Sequence, residues 1–173
     1  MNKIAKAIVA LLVAGAVSGC STTSGTTDVG YVYVPLKNDK VIAGDYGGVL
    51  TTYKERAAEY RRNGTRVVID GVCYSACMYL VSSLSSSNVC ATPSADLGFH
   101  APYRIKTAGQ EVVYSEDAKA ESRKNTAEFL SLLPSKIRSK ILSRGYPSVY
   151  KGDSPQKMTH IQGQEAMNIL GKC

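Results

Sequence analysis

Only two histidines, His100 and His160, occur among the 173 residues. A serine or cysteine nucleophile that works through an imidazole base therefore has two candidate partners and no more. Long apolar runs are missing too. The run from Ala7 to Val17 is about eleven residues, against the roughly 20 that a helix needs to cross the hydrocarbon core, so it makes a poor permanent span. No internal repeat and no long low-complexity tract is visible. Nor is there a large excess of one charge. Residues 1–19 hold Lys3 and Lys6 and no acid, so without them the 21 basic residues fall to 19 against 14 acidic ones, a net of +5. Basic residues such as Arg56, Arg61, Lys136 and Arg144 are spread among acids and helix faces. That is the pattern of a solvated surface, and it argues against nucleic acid as a partner.

What the chain does have begins at its start. Met1-Asn2-Lys3-Ile4-Ala5-Lys6 is a short basic segment, the apolar run follows, and Val17-Ser18-Gly19-Cys20 closes it. A basic start, a short apolar stretch and small residues before a cleavage point are the parts of an export signal. The last four residues resemble the bacterial lipobox, in which the cysteine is acylated and becomes the first residue after cleavage. The resemblance implies a signal peptide over 1–19, lipidation of Cys20 and a bacterial membrane as partner. Ser21 resembles outer-membrane sorting, which places the protein in the cell envelope, on the periplasmic face. Residues 20–28 have no bulky apolar side chain after Cys20 and read as a flexible tether reaching about 15 Å. About 154 residues remain after cleavage, enough for one domain with a core and not for two.

Export makes disulfides the default for Cys73, Cys77, Cys90 and Cys173. One bridge is expected within Cys73, Cys77 and Cys90, with the pair left open. Those three with His100 also have the ligand types of a zinc site, although the reading adopted needs no metal and no cofactor.

The domain, residues 29–173, opens with two strand signals, Val29–Val34 and Lys40–Ala43. Val49, Leu50, Tyr53, Ala57 and Tyr60 recur at helical spacing up to Asn63-Gly64. Thr65–Asp70 reads as a strand ended by Gly71, and Ser75–Ser85 as a buried helix. Asn88–Ala91 and Leu97–His100 read as two more strands. A helix from Ser115 to about Leu133 follows, then one from Pro134 to Gly145, a last strand over Lys157–Ile161 and a short helix from Gln164 to Leu170. Strands alternating with helices at this pitch predict an α/β layered fold with a mainly parallel sheet and flanking helices, in a single compact domain.

The chemistry concentrates in Val67-Val68-Ile69-Asp70-Gly71-Val72-Cys73-Tyr74-Ser75-Ala76-Cys77-Met78, a strand that turns sharply and delivers Ser75 to a helix start. A hydroxyl there stands at the sheet edge beside unpaired N–H groups that stabilise negative charge, which suits a nucleophile. Serine is equally a preferred N-cap, so the segment alone fits either role. His100 ends a predicted strand of the same layer. In a parallel sheet its end and that of the strand leading to Ser75 share one edge, although a half-buried histidine satisfied by a backbone carbonyl fits there as well. His160 has no comparable serine and reads as structural. Gly47-Gly48 lies between a strand and a helix, where it serves as a tight turn or as a close approach that aims an N–H at an oxyanion.

Gly-Gly, a helix and strand, Gly-x-x-x-Ser opening a helix, and a strand ending in His-x-Pro follow each other in an order that resembles the Clp-type serine peptidases of the ClpP/crotonase fold. The likeness covers about residues 40–103, and the Gln164-Glu165-Ala166 helix loosely. Asp-Gly-x-Cys-x-Ser-Ala-Cys with Gly-Phe-His looks closer still to a subgroup of exported bacterial proteins. The resemblance implies Ser75 as nucleophile, His100 as base, and Gly47 or Gly48 with Ala76 as oxyanion donors. The family's third member, an aspartate, falls near Met158-Thr159, where this chain has no acid. Asp153 is the nearest acid upstream. The function so implied is an envelope-anchored serine hydrolase, a peptidase or esterase working through an acyl-enzyme. The alternative is a non-catalytic protein of the same scaffold that binds an envelope partner. Outside the cytoplasm no ATP-dependent unfoldase is expected as a partner; the substrate or partner is a peptide or an envelope protein.

Overall fold

The computed structural model describes residues 31–106, 111–145, 147 and 158–173. Cys20, Asp153 and residues 1–30 lie outside the described residues, and with them the signal, the tether and the distant acid.

The centre of the fold is β2 (Arg66–Tyr74), whose Val67, Val68 and Ile69 are fully buried. A strand apolar on both faces belongs inside a parallel sheet, where helices and loops cover it. On one side it pairs in parallel with β1 (Asp39–Asp45), from Asp39↔Arg66 to Asp45↔Cys73. On the other side two short strands share its length. The first half takes β3 (Val89–Ala91) and the second half takes β4 (Asp96–Phe99), both parallel. The antiparallel β5 (Thr159–Gln162) pairs with β4 at the far edge. The result is a mixed α/β unit with one open, mostly parallel five-stranded sheet and flanking helices.

Helix α1 (Leu50–Asn63) buries Tyr53 and Ala57 and packs Leu50 and Tyr60 on the core, the 3–4 spacing legible in the sequence. It stops at Gly64, which takes a left-handed C-cap and lets Thr65 N–H reach the Tyr60 carbonyl at 2.9 Å. Beyond the sheet, α3 (Glu116–Leu132) carries Glu116 and Asp117 in its first turn, where acids complement the helix dipole, and stacks Phe129 on Phe99 with ring centres 5.1 Å apart. After Pro134, α4 (Ser135–Ser143) buries Ile137 and Ile141 completely. Each such side chain contributes roughly 1.5–3 kcal/mol by leaving water. The terminal α5 (Gly163–Leu170) packs against β3, β4 and β5. Among the described residues no helix is long and apolar enough to cross a membrane.

Three expectations change. No strand forms in the described part of Val29–Val34. Val32 and Val34 are 80% and 72% exposed there, and the segment is held instead through Asp39, which accepts from the Tyr33 hydroxyl and from Leu36 N–H at 2.7 Å. Gly71 does not end β2, which continues to Tyr74 because β1 shifts register between Ile42 and Gly44 and follows it. The Ala43 carbonyl lies where a side chain at residue 71 would point, so glycine marks a close approach here and no terminus. The buried helix after Ser75 is shorter than expected, a 3-10 turn over Ser75–Cys77 followed by α2 (Met78–Ser83).

The disulfides are Cys73–Cys77 and Cys90–Cys173. The first meets the expectation of one bridge among the clustered cysteines. The second ties the C-terminus to β3, beside hydrogen bonds from Ala91 N–H to the Gly171 carbonyl and from Cys173 N–H to the Ala91 carbonyl. With all four thiols paired, the thiolates that a zinc site would need are not there.

Candidate active site

Ser75 is the single non-glycine residue of the described chain with positive φ, at 55°. Such a conformation costs on the order of 1–3 kcal/mol and persists only where the surroundings over-determine it. Three constraints surround it. Tyr74 is still held in the β2 ladder, Met78 N–H closes the turn onto the Ser75 and Ala76 carbonyls, and the Cys73–Cys77 bridge spans the bend. The capping role fits poorly. Tyr74 and Cys77 occupy the cap positions of the 3-10 turn and α2, and neither start has a side-chain capping bond.

The Gly-Gly turn lies directly on this bend. A Cβ on Gly47, whose φ is 87°, would sit 2.6 Å from Ser75 Cβ, 2.7 Å from the Tyr74 carbonyl oxygen and 2.9 Å from Ala76 N. Only glycine allows that approach. Asp45, at the end of β1, fixes the turn. It accepts from Gly47 N–H at 2.9 Å and from the Tyr53 hydroxyl at 2.5 Å, and Arg56 Nη1 stands 3.4 Å from its other oxygen. Burial, reinforced by this carboxylate, pushes the Tyr53 phenol up to about 12. Because Gly47 N–H is committed to Asp45, it is not aimed at a ligand.

His100 leaves β4 at the same edge. Tyr74 is paired with Gly98 in parallel register, so Ser75 and His100 both emerge just past the ends of neighbouring strands, which run about 4.8 Å apart. Gly47 and Gly48 follow the end of β1 next to them. Three segments separated by up to 53 positions thus meet at one sheet edge. His100 Nδ1 lies 2.7 Å from the Ala101 carbonyl, and the ring stacks on Tyr103 with centres 5.2 Å apart. A carbonyl only accepts, so Nδ1 carries the hydrogen and in the neutral ring Nε2 is the basic nitrogen. The backbone-carbonyl partner expected of a structural histidine is therefore present, and it selects the tautomer that a general base requires. Met158 is half-buried just before β5, and Thr159 opens that strand.

A second group, built on β2, β4 and β5, escaped the sequence reading. Asp96 accepts hydrogen bonds from the Tyr74 hydroxyl at 2.5 Å and Gln162 Nε2 at 2.9 Å, with His160 Nδ1 at 3.0 Å. Burial alone would raise this carboxyl, but the bonds from Tyr74, His160 and Gln162 hold it below the ordinary carboxylate range. Burial and the same contact push the Tyr74 phenol up to about 12. His160 is thus tied to a carboxylate, and its ring meets Tyr74 edge-on at 5.2 Å. The available signal was period two. Asp96 and Gly98 alternate with buried Leu97 and Phe99, but assigning His160 and Gln162 to them requires the register of an antiparallel pair joining residues 64 positions apart.

Comparison of the sequence with protein families and with curated proteins finds no match.

Proposed function

We propose that this protein is a serine hydrolase of ClpP/crotonase-like fold, anchored in the bacterial envelope through lipidated Cys20, which cleaves peptide or ester bonds through an acyl-enzyme at Ser75. The observation that carries this reading is the left-handed backbone of Ser75 beneath the Gly47 turn, beside the strand end that bears His100. Strain held at one polar residue, where three strand ends meet, is the usual setting of a functional group.

His100 Nε2 takes the Ser75 hydroxyl proton while Oγ attacks the substrate carbonyl, whose oxygen receives the negative charge. The N–H groups of Gly48 and Ala76 stabilise that oxyanion. Collapse breaks the bond to the leaving group, which takes the proton from His100. Water then repeats the sequence on the acyl-enzyme and frees Ser75. The Ala101 carbonyl orients the ring in this scheme, from the Nδ1 side on which a triad carboxylate would act.

The test is fluorophosphonate labelling of the purified mature domain. Wild type is expected to label, Ser75→Ala to abolish labelling, and His100→Ala to slow it by about a hundredfold or more. A folded wild-type domain that stays unlabelled at neutral and mildly basic pH would favour the alternative, a scaffold that binds an envelope partner without catalysis.

A further inference from the structure

We infer that Asp96 is a positioning residue for Ser75, acting through the side chain of Tyr74; the inference rests on Ser75 being the nucleophile. Tyr74 is the residue immediately before the strained serine, and its carbonyl is one of the atoms against which the Gly47 turn is packed. Its ring crosses from β2 onto β4 over Gly98, where any Cβ would run into the ring carbons. That ring also meets Tyr46 edge-on at 5.9 Å and His160 at 5.2 Å. One side chain thereby touches the residue before the Gly-Gly turn, the residue two before His100, and β5.

An aromatic ring alone is free to slide along such a surface. Its hydroxyl is not, because it donates at 2.5 Å to a carboxylate whose side chain is only 17% exposed and which Gln162 and His160 hold from the other side. The chain of contacts runs from β5 to Asp96, from Asp96 to the Tyr74 ring, and from the ring to the backbone bend at Ser75. A hydroxyl misplaced by about 1 Å loses on the order of a hundredfold in rate, so modest slack in this brace is readable as lost reactivity. Asp96 makes no contact with reacting atoms in this role.

The experiment measures fluorophosphonate labelling rates against pH in the full mature protein. Tyr74→Phe keeps the ring and removes its bond to Asp96; the labelling plateau is expected to fall about tenfold or more, with circular dichroism unchanged and the midpoint of the pH profile unmoved, because His100 remains the base. Asp96→Asn is expected to stay within about threefold of wild type. Its carbonyl oxygen still accepts from Tyr74 and Gln162, and its amide donates to His160 Nδ1 in the other tautomer. Rescue by this neutral variant distinguishes a hydrogen bond that positions from a charge that takes part. Equal plateaus for wild type and Tyr74→Phe would overturn the inference and leave the hydrolase reading standing. A slow Asp96→Asn, or a shifted midpoint in either variant, would overturn it in favour of a charge role for Asp96. A wild type that does not label, with Ser75→Ala identical to it, would remove the reading on which the inference rests and the inference with it.

Discussion

Ser75 and Gly47 define each other, since the serine adopts a conformation that favours glycine and the glycine fills a space that admits no side chain. Asp39 shows the same economy in a purely structural role. Its carboxylate, 1% exposed, accepts from Arg66 Nε at 2.9 Å and Nη2 at 2.8 Å as well as from Tyr33 and Leu36, and the Arg66 bonds hold it far below the usual carboxylate range. A carboxyl depressed on folding stabilises the fold above its unfolded pKa of about 3.9, and that contribution is lost as pH falls toward the folded value. Chemical denaturation is therefore expected to show an unfolding free energy that this group leaves flat from about pH 5 to neutrality and lowers below about pH 4. Asp39→Asn should be less stable by about 3 kcal/mol at neutral pH and should decline less steeply in acid, Asp96 supplying part of what slope remains. At this scale the sequence was readable where a residue acts through its neighbours along the chain, as at Ser75. It was not readable where the partner lies on another strand, as with Asp96 and His160, or Asp39 and Arg66.

Among the elements, β2 with the bend after it carries the proposed site, and two disulfides act on it differently. Cys73–Cys77 closes a loop with a sequence separation of 4, Cys90–Cys173 one with a separation of 83. Loop-closure entropy assigns the short bridge about 2 kcal/mol and the long one about 4.5 kcal/mol. Urea unfolding of Cys73→Ala/Cys77→Ala and Cys90→Ala/Cys173→Ala is expected to rank them in that order. The labelling rate should rank them in reverse, because the short bridge spans Ser75 and the long one fastens the terminus to β3. Equal effects on both readouts would mean that the short bridge only stabilises. The helices and the parallel strands were legible from their periodicities, α1 with its Gly64 stop most clearly. The 31–36 segment was not, because a β-branched and aromatic run reads as a strand whether or not a strand lies beside it.

For the whole molecule, the proposed function gives the domain a reaction edge and the N-terminal sequence an address. The proposed anchor is tested by growing cells with a radiolabelled or clickable palmitate analogue. Label is expected on the wild-type protein and in the membrane fraction, and Cys20→Ser is expected to lose both. The order of Gly47-Gly48, Ser75 and His100 along the chain was enough to anticipate that they follow neighbouring strand ends, because parallel strands place their C-terminal ends on one edge. The aspartate that the resemblance implies has no counterpart at Met158-Thr159, where no carboxylate stands in the sequence.

The central claim is that Ser75 is an activated nucleophile, and locating the adduct by mass spectrometry tests it most directly. After reaction of the folded mature protein with a fluorophosphonate, the account predicts a single added equivalent, found on Ser75 in the peptide that contains it, and none after prior unfolding. An unmodified Ser75 in folded protein, or an adduct carried only by other residues, would contradict it.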